Sequence, residues 1–194
     1  RRVTGATPTP ERASDLRARV HLRPRTDADL PELVTILAEQ QPYTGYPETW
    51  ADEPDPLPLI KRPTELATWV ANVDDRLVGH ISITTADTPA HDDFHAPEVL
   101  WTDALNLPLD QLGLVSALFV ANSVRGKGVG GLLFDTAVAA IQARGLAPVL
   151  EVVDGPSRAV ELYRHRGWEV VGECRPPWAV GLEHRVLAMV LRTP

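Results

Sequence analysis

The chain has 194 residues, of which 44% are hydrophobic and 23% charged, and its formal net charge at pH 7 is −7. This composition predicts one ordered domain with a hydrophobic core and argues against a disordered chain. The acidic balance argues against nucleic acid as the main partner, because a nucleic-acid-binding face is basic. Cys174 is the single cysteine, which excludes an intramolecular disulfide and favours a reducing, cytoplasmic compartment.

The first 18 residues mix Pro, Thr, Arg and Glu without a sustained apolar period. We expect residues 1–18 to form a mobile extension and residues 19–194 to form the single domain. No segment has the pattern of a leader peptide or enough apolar residues to span a membrane, so a soluble protein is expected. The sequence allows a homodimer without specifying one.

A strand and a helix open the domain. Residues 20–23 are the candidate first strand. Thr26 and Asp29 have the spacing of a capping box, in which the two side chains satisfy backbone amides at a helix start. Apolar residues then recur at helical spacing and predict one buried helix face: Leu30, Leu33, Ile36 and Leu37.

The next segment, residues 41–63, is dense in proline, aromatic and acidic residues. Its carboxylates could attract an amine, although a solvated loop is the simpler interpretation of any one of them: Glu48, Asp52, Glu53 and Asp55. A hairpin follows, since residues 69–73 and 76–84 flank the turn residues Asp74 and Asp75.

Residues 86–113 are unusually long for a connection. Within them, His91 and His95 imitate the zinc motif His-Glu-x-x-His, with Asp92 in place of glutamate. Pro89 and Pro97 leave little room for the long helix that this motif needs. An ordinary polar loop is therefore favoured over a zinc site, with a substrate-pocket role for one histidine as the alternative.

The chain is organised around residues 114–145, which predict a buried strand, a glycine-rich turn and an amphipathic helix that ends at Gly145. A helix N-terminus has unpaired amides and a partial positive charge, and therefore favours an anion. Glycines let a diphosphate approach those amides closely, and Arg125 and Lys127 add positive charge. The spacing of Gly126, Gly128 and Gly130 fits neither the dinucleotide-binding fingerprint nor the P-loop.

The last part of the chain alternates strands and a helix. Residues 147–153 predict another apolar strand, and residues 154–157 open the next helix, which Gly167 ends. Residues 169–174 and 185–192 predict the final strand pair. The loop between them, residues 175–184, is placed to close over a substrate.

Two sequence blocks resemble the motifs of the GNAT N-acetyltransferase superfamily. Arg125, Gly128 and Gly130 fit the family's Arg/Gln-x-x-Gly-x-Gly/Ala signature for acetyl-CoA. The block AVELYRHRGW, residues 159–168, is similar to the family's Ala-x-x-Leu-Tyr-x-x-x-Gly-Phe block. Both blocks occur in the family's order and spacing, so the pair is more specific than either motif alone. The resemblance is strong over residues 114–171.

The resemblance implies an α/β (α+β) fold with a mixed sheet of about six to seven strands, helices on both faces and a splayed central strand. It also implies that acetyl-CoA is the cosubstrate, that no metal is needed, and that the Val120 N–H polarises the thioester carbonyl. Tyr163 matches the family's general acid. The implied cofactor-binding residues are Leu118, Phe119, Val120, Arg125, Gly126, Lys127, Gly128, Val129, Gly130 and Ser157.

Two departures from the family pattern leave questions open. Pro156 stands where the family often has asparagine, so Ser157 is the remaining polar candidate for the pantetheine. The central strand has only Ser116 as a polar side chain, whereas many members carry a glutamate there. The general base therefore stays open among Glu98, Asp103, His80 and a loop carboxylate.

The leading hypothesis is an acetyl-CoA-dependent N-acetyltransferase that acts on a primary amine of a small molecule in a ternary complex. One alternative is a catalytically weak acyl-CoA-binding or sensory module. The other is an acetyltransferase for protein N-termini or lysines.

Overall fold

The computed structural model describes residues 13–48, 55–87, 96–155, 157, 159–179 and 181–192. Within these ranges the chain forms a seven-stranded mixed sheet with the strand order β1-β2-β3-β4-β5-β7-β6. Helices cover both faces, and this arrangement confirms the predicted fold class. The strands are β1 (Val20–Pro24), β2 (Glu65–Val73), β3 (Arg76–Thr85), β4 (Leu112–Val120), β5 (Ala147–Val153), β6 (Glu169–Cys174) and β7 (Val186–Val190).

The helices divide between the two faces because strand side chains alternate. In β5, Val149 packs in the cluster that contains Trp101, whereas its neighbour Leu150 packs in the cluster that contains Leu133. The helices of the described residues are α1 (Ala13–Ala18), α2 (Leu30–Thr44), α3 (Leu57–Ile60), α4 (Pro97–Leu105), α5 (Val129–Gln142) and α6 (Ala159–His165). Thus α5 covers one face, and α2 and α4 cover the other. None of these helices is both long and apolar enough to cross a bilayer.

The N-terminal part of the domain confirms the predicted capping box. The Thr26 backbone N–H and hydroxyl both donate to an Asp29 carboxylate oxygen, at 2.7 and 2.9 Å. The Arg23 guanidinium makes two further hydrogen bonds to Asp29 and holds the pKa of that carboxyl well below its usual range.

The helix α1 lies within residues 1–18, the range predicted to form an extension. Its Leu16 is only 4% exposed and packs in the core under α5.

The β2–β3 hairpin is confirmed. Asp74 and Asp75 form its two-residue turn with φ angles of 48° and 63°. Two consecutive positive φ values match the twist of paired strands, and aspartate tolerates them better than bulky residues.

Residues 86–113 contribute a helix as well as a loop. Trp101 of α4 is fully buried, and α4 packs against β6 and β7. His91 and His95 lie outside the described residues, so the zinc interpretation is not tested. Among the described residues, no group of three metal-ligating side chains is assembled.

The predicted splay of the central strand is present. Parallel strands β4 and β5 pair only from Leu112 and Ala147 to Leu114 and Val149. Beyond that point these two fully described strands form no pairs, while β4 keeps its pairing with β3. Backbone groups on the facing edges of β4 and β5 therefore lack sheet partners and open a cleft in the middle of the sheet.

Candidate active site

The glycine-rich loop leads from β4 into α5. Gly126 and Gly128 have φ angles of 72° and 89°, which is the left-handed region that disfavours side chains. The Leu132 N–H donates to the Gly128 carbonyl at 3.1 Å and makes the first turn of α5. The amides of residues 129–131 precede that bond and have no partner inside the helix, and those of the half-buried Gly130 and Gly131 are available to an anion.

The loop surface is open. A Cβ atom placed on Gly126 would meet nothing within 4 Å, and one placed on Gly128 would meet only the Arg17 side chain at 3.8 Å. Arg125 is exposed and Lys127 is half-buried beside it. Exposed amides, left-handed glycines and flanking cations together fit a diphosphate.

Arg17 is a cation near this loop that the sequence analysis missed. It follows Leu16, whose burial docks α1 onto the core, and so the Arg17 stem is held next to Gly128. Local sequence patterns do not indicate this contact, because the helix is short and its partner is far along the chain.

Replacing Arg17 with alanine is expected to raise the Kd for acetyl-CoA about two- to fivefold, the range of an exposed charge contact. The difference between wild type and variant should shrink in high salt, since salt screens exposed charges. Titration calorimetry at two salt concentrations measures both. Arg144→Ala at the opposite end of α5 is the control, and equal effects of the two variants would contradict a role for Arg17.

The free edge of β4 can be identified from one hydrogen bond. The Ala121 N–H donates to the Val78 carbonyl of β3 at 2.8 Å. Because successive N–H groups in a strand point to opposite sides, the N–H groups of Val120 and Leu118 point toward the cleft. A Cβ placed on Gly130 would lie 3.8 Å from Val120, so the open edge and the glycine loop are continuous.

Two of the predicted binding residues have side chains in the core. Phe119 is 4% exposed and stacks on His80, and Val129 is fully buried under the sheet. Their side chains hold the strand and the helix start in place. Because the whole Val129 residue is 0% exposed, the accessible residues at the start of α5 are Gly130 and Gly131.

Tyr163 projects from α6 onto α5. Its ring stacks on Phe134 with the centroids 5.0 Å apart. Burial raises the pKa of Tyr163 to about 12, with the nearby Tyr46 adding to the effect. The phenol therefore keeps its proton throughout the physiological range and can donate it or a hydrogen bond. Ser157 is exposed shortly before α6 begins.

Glu151 is a carboxylate of β5 that the sequence analysis did not select. It lies two positions beyond Val149, the last β5 residue paired to β4, and on the α4 side of the sheet. The Trp178 indole N–H, from the loop between β6 and β7, donates to its carboxylate at 3.0 Å. Burial raises the pKa of Glu151 to about 7. A carboxyl with a pKa near neutrality is suited to accept a proton at physiological pH.

The other candidate bases are less suited to proton transfer. His80 is fully buried, and both of its ring nitrogens have partners. Asp103 is exposed on α4, and Asp55 accepts a hydrogen bond from the Leu57 amide. Asp52 and Glu53 lie outside the described residues.

The cleft beside Glu151 is acidic and aromatic. Glu98 of α4 raises the pKa of Glu151, whereas Arg62 lowers it, so both charges lie near that carboxyl. Burial raises the pKa of Tyr46, on which Arg62 and Glu151 also act. Burial likewise raises the pKa of Glu48. Glu98 lies on α4 and Glu151 on β5, whereas Tyr46 and Glu48 follow α2 and Arg62 follows α3.

Cys174 takes no part in this chemistry. It is 1% exposed, and burial raises the pKa of its thiol to about 12. A thiol in that state behaves as a small apolar side chain of the core.

A sequence model of the Acetyltransferase (GNAT) family matches residues 30–168, which include the splayed strands, the glycine loop, Glu151 and Tyr163. The chain belongs to the GNAT acetyltransferase family. This membership implies acetyltransferase activity, and the family uses acetyl-CoA as its acetyl donor. No curated protein sequence matches the chain.

Solved structures share the GNAT fold at low sequence identity. A GCN5-related N-acetyltransferase from Kribbella flavida is 19% identical, with a TM-score of 0.61 over 92% of this chain and 99% of the other. The ribosomal-protein-S18-alanine N-acetyltransferase from Escherichia coli is 15% identical, with a TM-score of 0.59 over 89% and 92%. An acetyltransferase of the GNAT family from Staphylococcus aureus is 17% identical, with a TM-score of 0.59 over 89% and 99%. At these identities the likeness is one of fold.

Proposed function

We propose that this GNAT protein transfers an acetyl group from acetyl-CoA to a primary amine of a small molecule by direct attack in a ternary complex. The observation that carries the proposal is the placement of Glu151 beside the cleft where β4 separates from β5. A proton acceptor with a pKa of about 7 thus stands where the freed strand edge can receive a thioester.

The donor half of the proposal uses the glycine loop and the strand edge. Amides of the loop hold the diphosphate, with Arg125, Lys127 and Arg17 adding positive charge. The pantetheine arm pairs with the open edge of β4 as an added strand would. The Val120 N–H then points at the thioester carbonyl, where negative charge develops in the transition state.

The transfer itself needs three proton movements. Glu151 accepts a proton from the acceptor ammonium, directly or through one water, and leaves the neutral amine. The amine nitrogen attacks the thioester carbon, and the Val120 N–H stabilises the oxyanion. The C–S bond breaks as the new C–N bond is completed. Tyr163 gives its proton to the departing sulfur. The new amide nitrogen loses its extra proton to solvent water, and solvent returns one proton to the Tyr163 phenolate.

A cationic acceptor suits the cleft. Glu98 lies near Glu151, and the aromatic side chains of Tyr46 and Trp178 lie near the same carboxyl, where they can attract an ammonium. The alternative of a catalytically weak acyl-CoA-binding or sensory module rests on the lack of a carboxylate in the central strand. Glu151 on the neighbouring strand supplies that carboxylate and favours an enzyme.

Replacing Gly128 with glutamate tests donor binding. A side chain at a φ of 89° is strained, and the carboxylate would stand among amides meant for a diphosphate. The Kd for acetyl-CoA, measured by calorimetry, is expected to rise at least about tenfold. Gly145→Glu is the matched control, because Gly145 has a φ of 74° with equally open surroundings at the far end of α5. Similar affinity in the two variants would contradict the proposed donor site.

The acceptor is tested by thiol release from acetyl-CoA against a panel of amines. The panel contains small amines, peptides with free N-termini and lysine peptides. Turnover confined to the peptides would overturn the small-molecule assignment. Binding of acetyl-CoA without turnover on any amine would support the sensory alternative.

A further inference from the structure

A buried polar chain runs behind the open strand. His80 of β3 is fully buried, and its Nδ1 lies 2.9 Å from the Ala117 carbonyl oxygen of β4. Its Nε2 lies 3.1 Å from an Arg25 nitrogen. Arg25 in turn makes two hydrogen bonds to the Glu65 carboxylate, at 2.9 and 2.7 Å, and one to the Ile60 carbonyl at 2.7 Å.

The partners of His80 fix where its proton lies. A guanidinium can only donate, so Nε2 of His80 accepts from Arg25. Nδ1 therefore carries the proton and donates it to the Ala117 carbonyl. Burial lowers the pKa of His80 to about 4, and the ring is accordingly neutral, with one donor and one acceptor.

The carbonyl that His80 binds belongs to an unusual residue. Ala117 has a φ of 50°, in the left-handed region that disfavours residues with a side chain. The β3–β4 register shifts at the same place, between His80 and Ser82. The irregularity immediately precedes Leu118 and Val120, whose N–H groups point into the cleft.

We propose that His80 is a positioning residue for acetyl transfer, which holds the β4 bulge at Ala117 and thereby aims the Val120 N–H at the thioester carbonyl. The inference rests on the proposed role of the Val120 amide. The hydrogen bond opposes relaxation of the strained residue toward a regular strand, in which the following amides would rotate away from the cleft.

The anchor behind His80 is rigid. The side chains of Arg25 and Glu65 are 5% and 15% exposed, and their paired hydrogen bonds fix the guanidinium plane. His80 also stacks on Phe119, with the ring centroids 5.3 Å apart. Arg25 thus contacts the edge of the His80 ring, and Phe119 of β4 packs on its face.

Two polar substitutions separate the two hydrogen bonds. In His80→Asn the side-chain NH₂ can replace Nδ1 as the donor to Ala117, and the contact to Arg25 is lost. In His80→Gln the longer side chain can accept from Arg25 at the place of Nε2. The glutamine side chain cannot place a donor at the position of Nδ1, so the hydrogen bond to the Ala117 carbonyl is lost. Both variants remove the ring, so loss of packing alone would affect them alike.

Three measurements are made on wild type and both variants: hydrogen exchange of the β4 peptide, kcat, and the Kd for acetyl-CoA. We expect His80→Gln to speed exchange of residues 115–120 and to lower kcat about tenfold, with a Kd within about threefold of wild type. His80→Asn should stay within about threefold in kcat and keep slow exchange. His21→Asn on β1, where His21 is exposed, controls for the loss of a histidine.

The outcomes distinguish the two proposals. Equal losses in both His80 variants, or unchanged exchange of β4 in His80→Gln, would overturn the positioning role. If the wild type turns over no amine, the proposed function fails, and hydrogen exchange alone decides whether His80 holds the bulge. Faster exchange in α5 as well as in β4 would show a general loosening of the fold and would also overturn the positioning role of His80.

Discussion

Replacing Glu151 with glutamine is expected to lower kcat about 10²- to 10³-fold at pH 8, the loss that follows removal of a positioned general base. Glutamine has nearly the same shape, and its carbonyl oxygen can still accept the Trp178 N–H. It cannot take a proton from the acceptor amine. The acetyl-CoA Kd should therefore stay within about twofold, because Glu151 lies away from the phosphate loop.

The pH dependence provides an independent test of Glu151. Burial raises its pKa to about 7, so the carboxyl is protonated and inactive as a base below that pH. In the wild type, kcat/KM should fall about tenfold per pH unit below the pKa. The Glu151→Gln variant should not show this fall at low pH. Because folding favours the protonated carboxyl, neutral glutamine should leave the Tm at pH 8 equal or higher.

The control for Glu151 is Glu32→Gln on the exposed face of α2. It removes the same charge without touching the cleft and should match wild type. The assignment of Glu151 as the general base would be contradicted if Glu151→Gln kept kcat within about threefold of wild type at pH 8 and still lost kcat/KM below pH 7. Glu98 would then be the next candidate base.

The central part of the fold could be predicted from the sequence because local signals agreed there. An apolar run, a glycine-rich turn and helical periodicity coincide over residues 114–145, and the structure has β4, the loop and α5 in that order. The hairpin turn at Asp74 and Asp75 and the capping box at Thr26 were equally local. Each depends on residues within a few positions of one another.

The short helices were missed for the opposite reason. In α1 and α4 the helix is stabilised by packing of Leu16 and Trp101 into a core built from distant strands. Periodicity over six or nine residues is too brief to reveal a buried face. The position of Arg17 beside the phosphate loop depends on the same docking and was equally invisible.

The sequence does contain a signal for Glu151. It is the single charged residue in the apolar run of residues 147–153, and a charge inside a buried strand needs an explanation. Many family members carry the carboxylate on the central strand, where this sequence has only Ser116 as a polar side chain. The splay brings the neighbouring strand to the cleft, and only the β4–β5 pairing shows that Glu151 follows the last paired residue.

Replacing Tyr163 with phenylalanine is expected to lower kcat about 10²-fold, the lower end of the range for a positioned general acid. The ring can still stack on Phe134, so the fold and the surrounding core should persist. Without the phenolic proton, the thiolate must leave as an anion into a partly buried site, which raises the barrier to C–S cleavage. Donor affinity should change less than about threefold, since Tyr163 lies on α6 and is not part of the loop proposed to hold the diphosphate.

Stopped-flow thiol release and calorimetry measure the two effects of the Tyr163 change separately. Tyr43→Phe is the matched control, because Tyr43 is 71% exposed on α2 and should tolerate loss of its hydroxyl. A large rise in Kd with kcat preserved would make Tyr163 a binding residue and contradict its role as the acid. Loss of kcat with a Tm like that of wild type would instead support Tyr163 as the proton donor and Glu151 as the proton acceptor of the same reaction. One site can both accept a proton from the amine and donate one to the sulfur when the two groups have well-separated pKa values, here about 7 for Glu151 and about 12 for Tyr163.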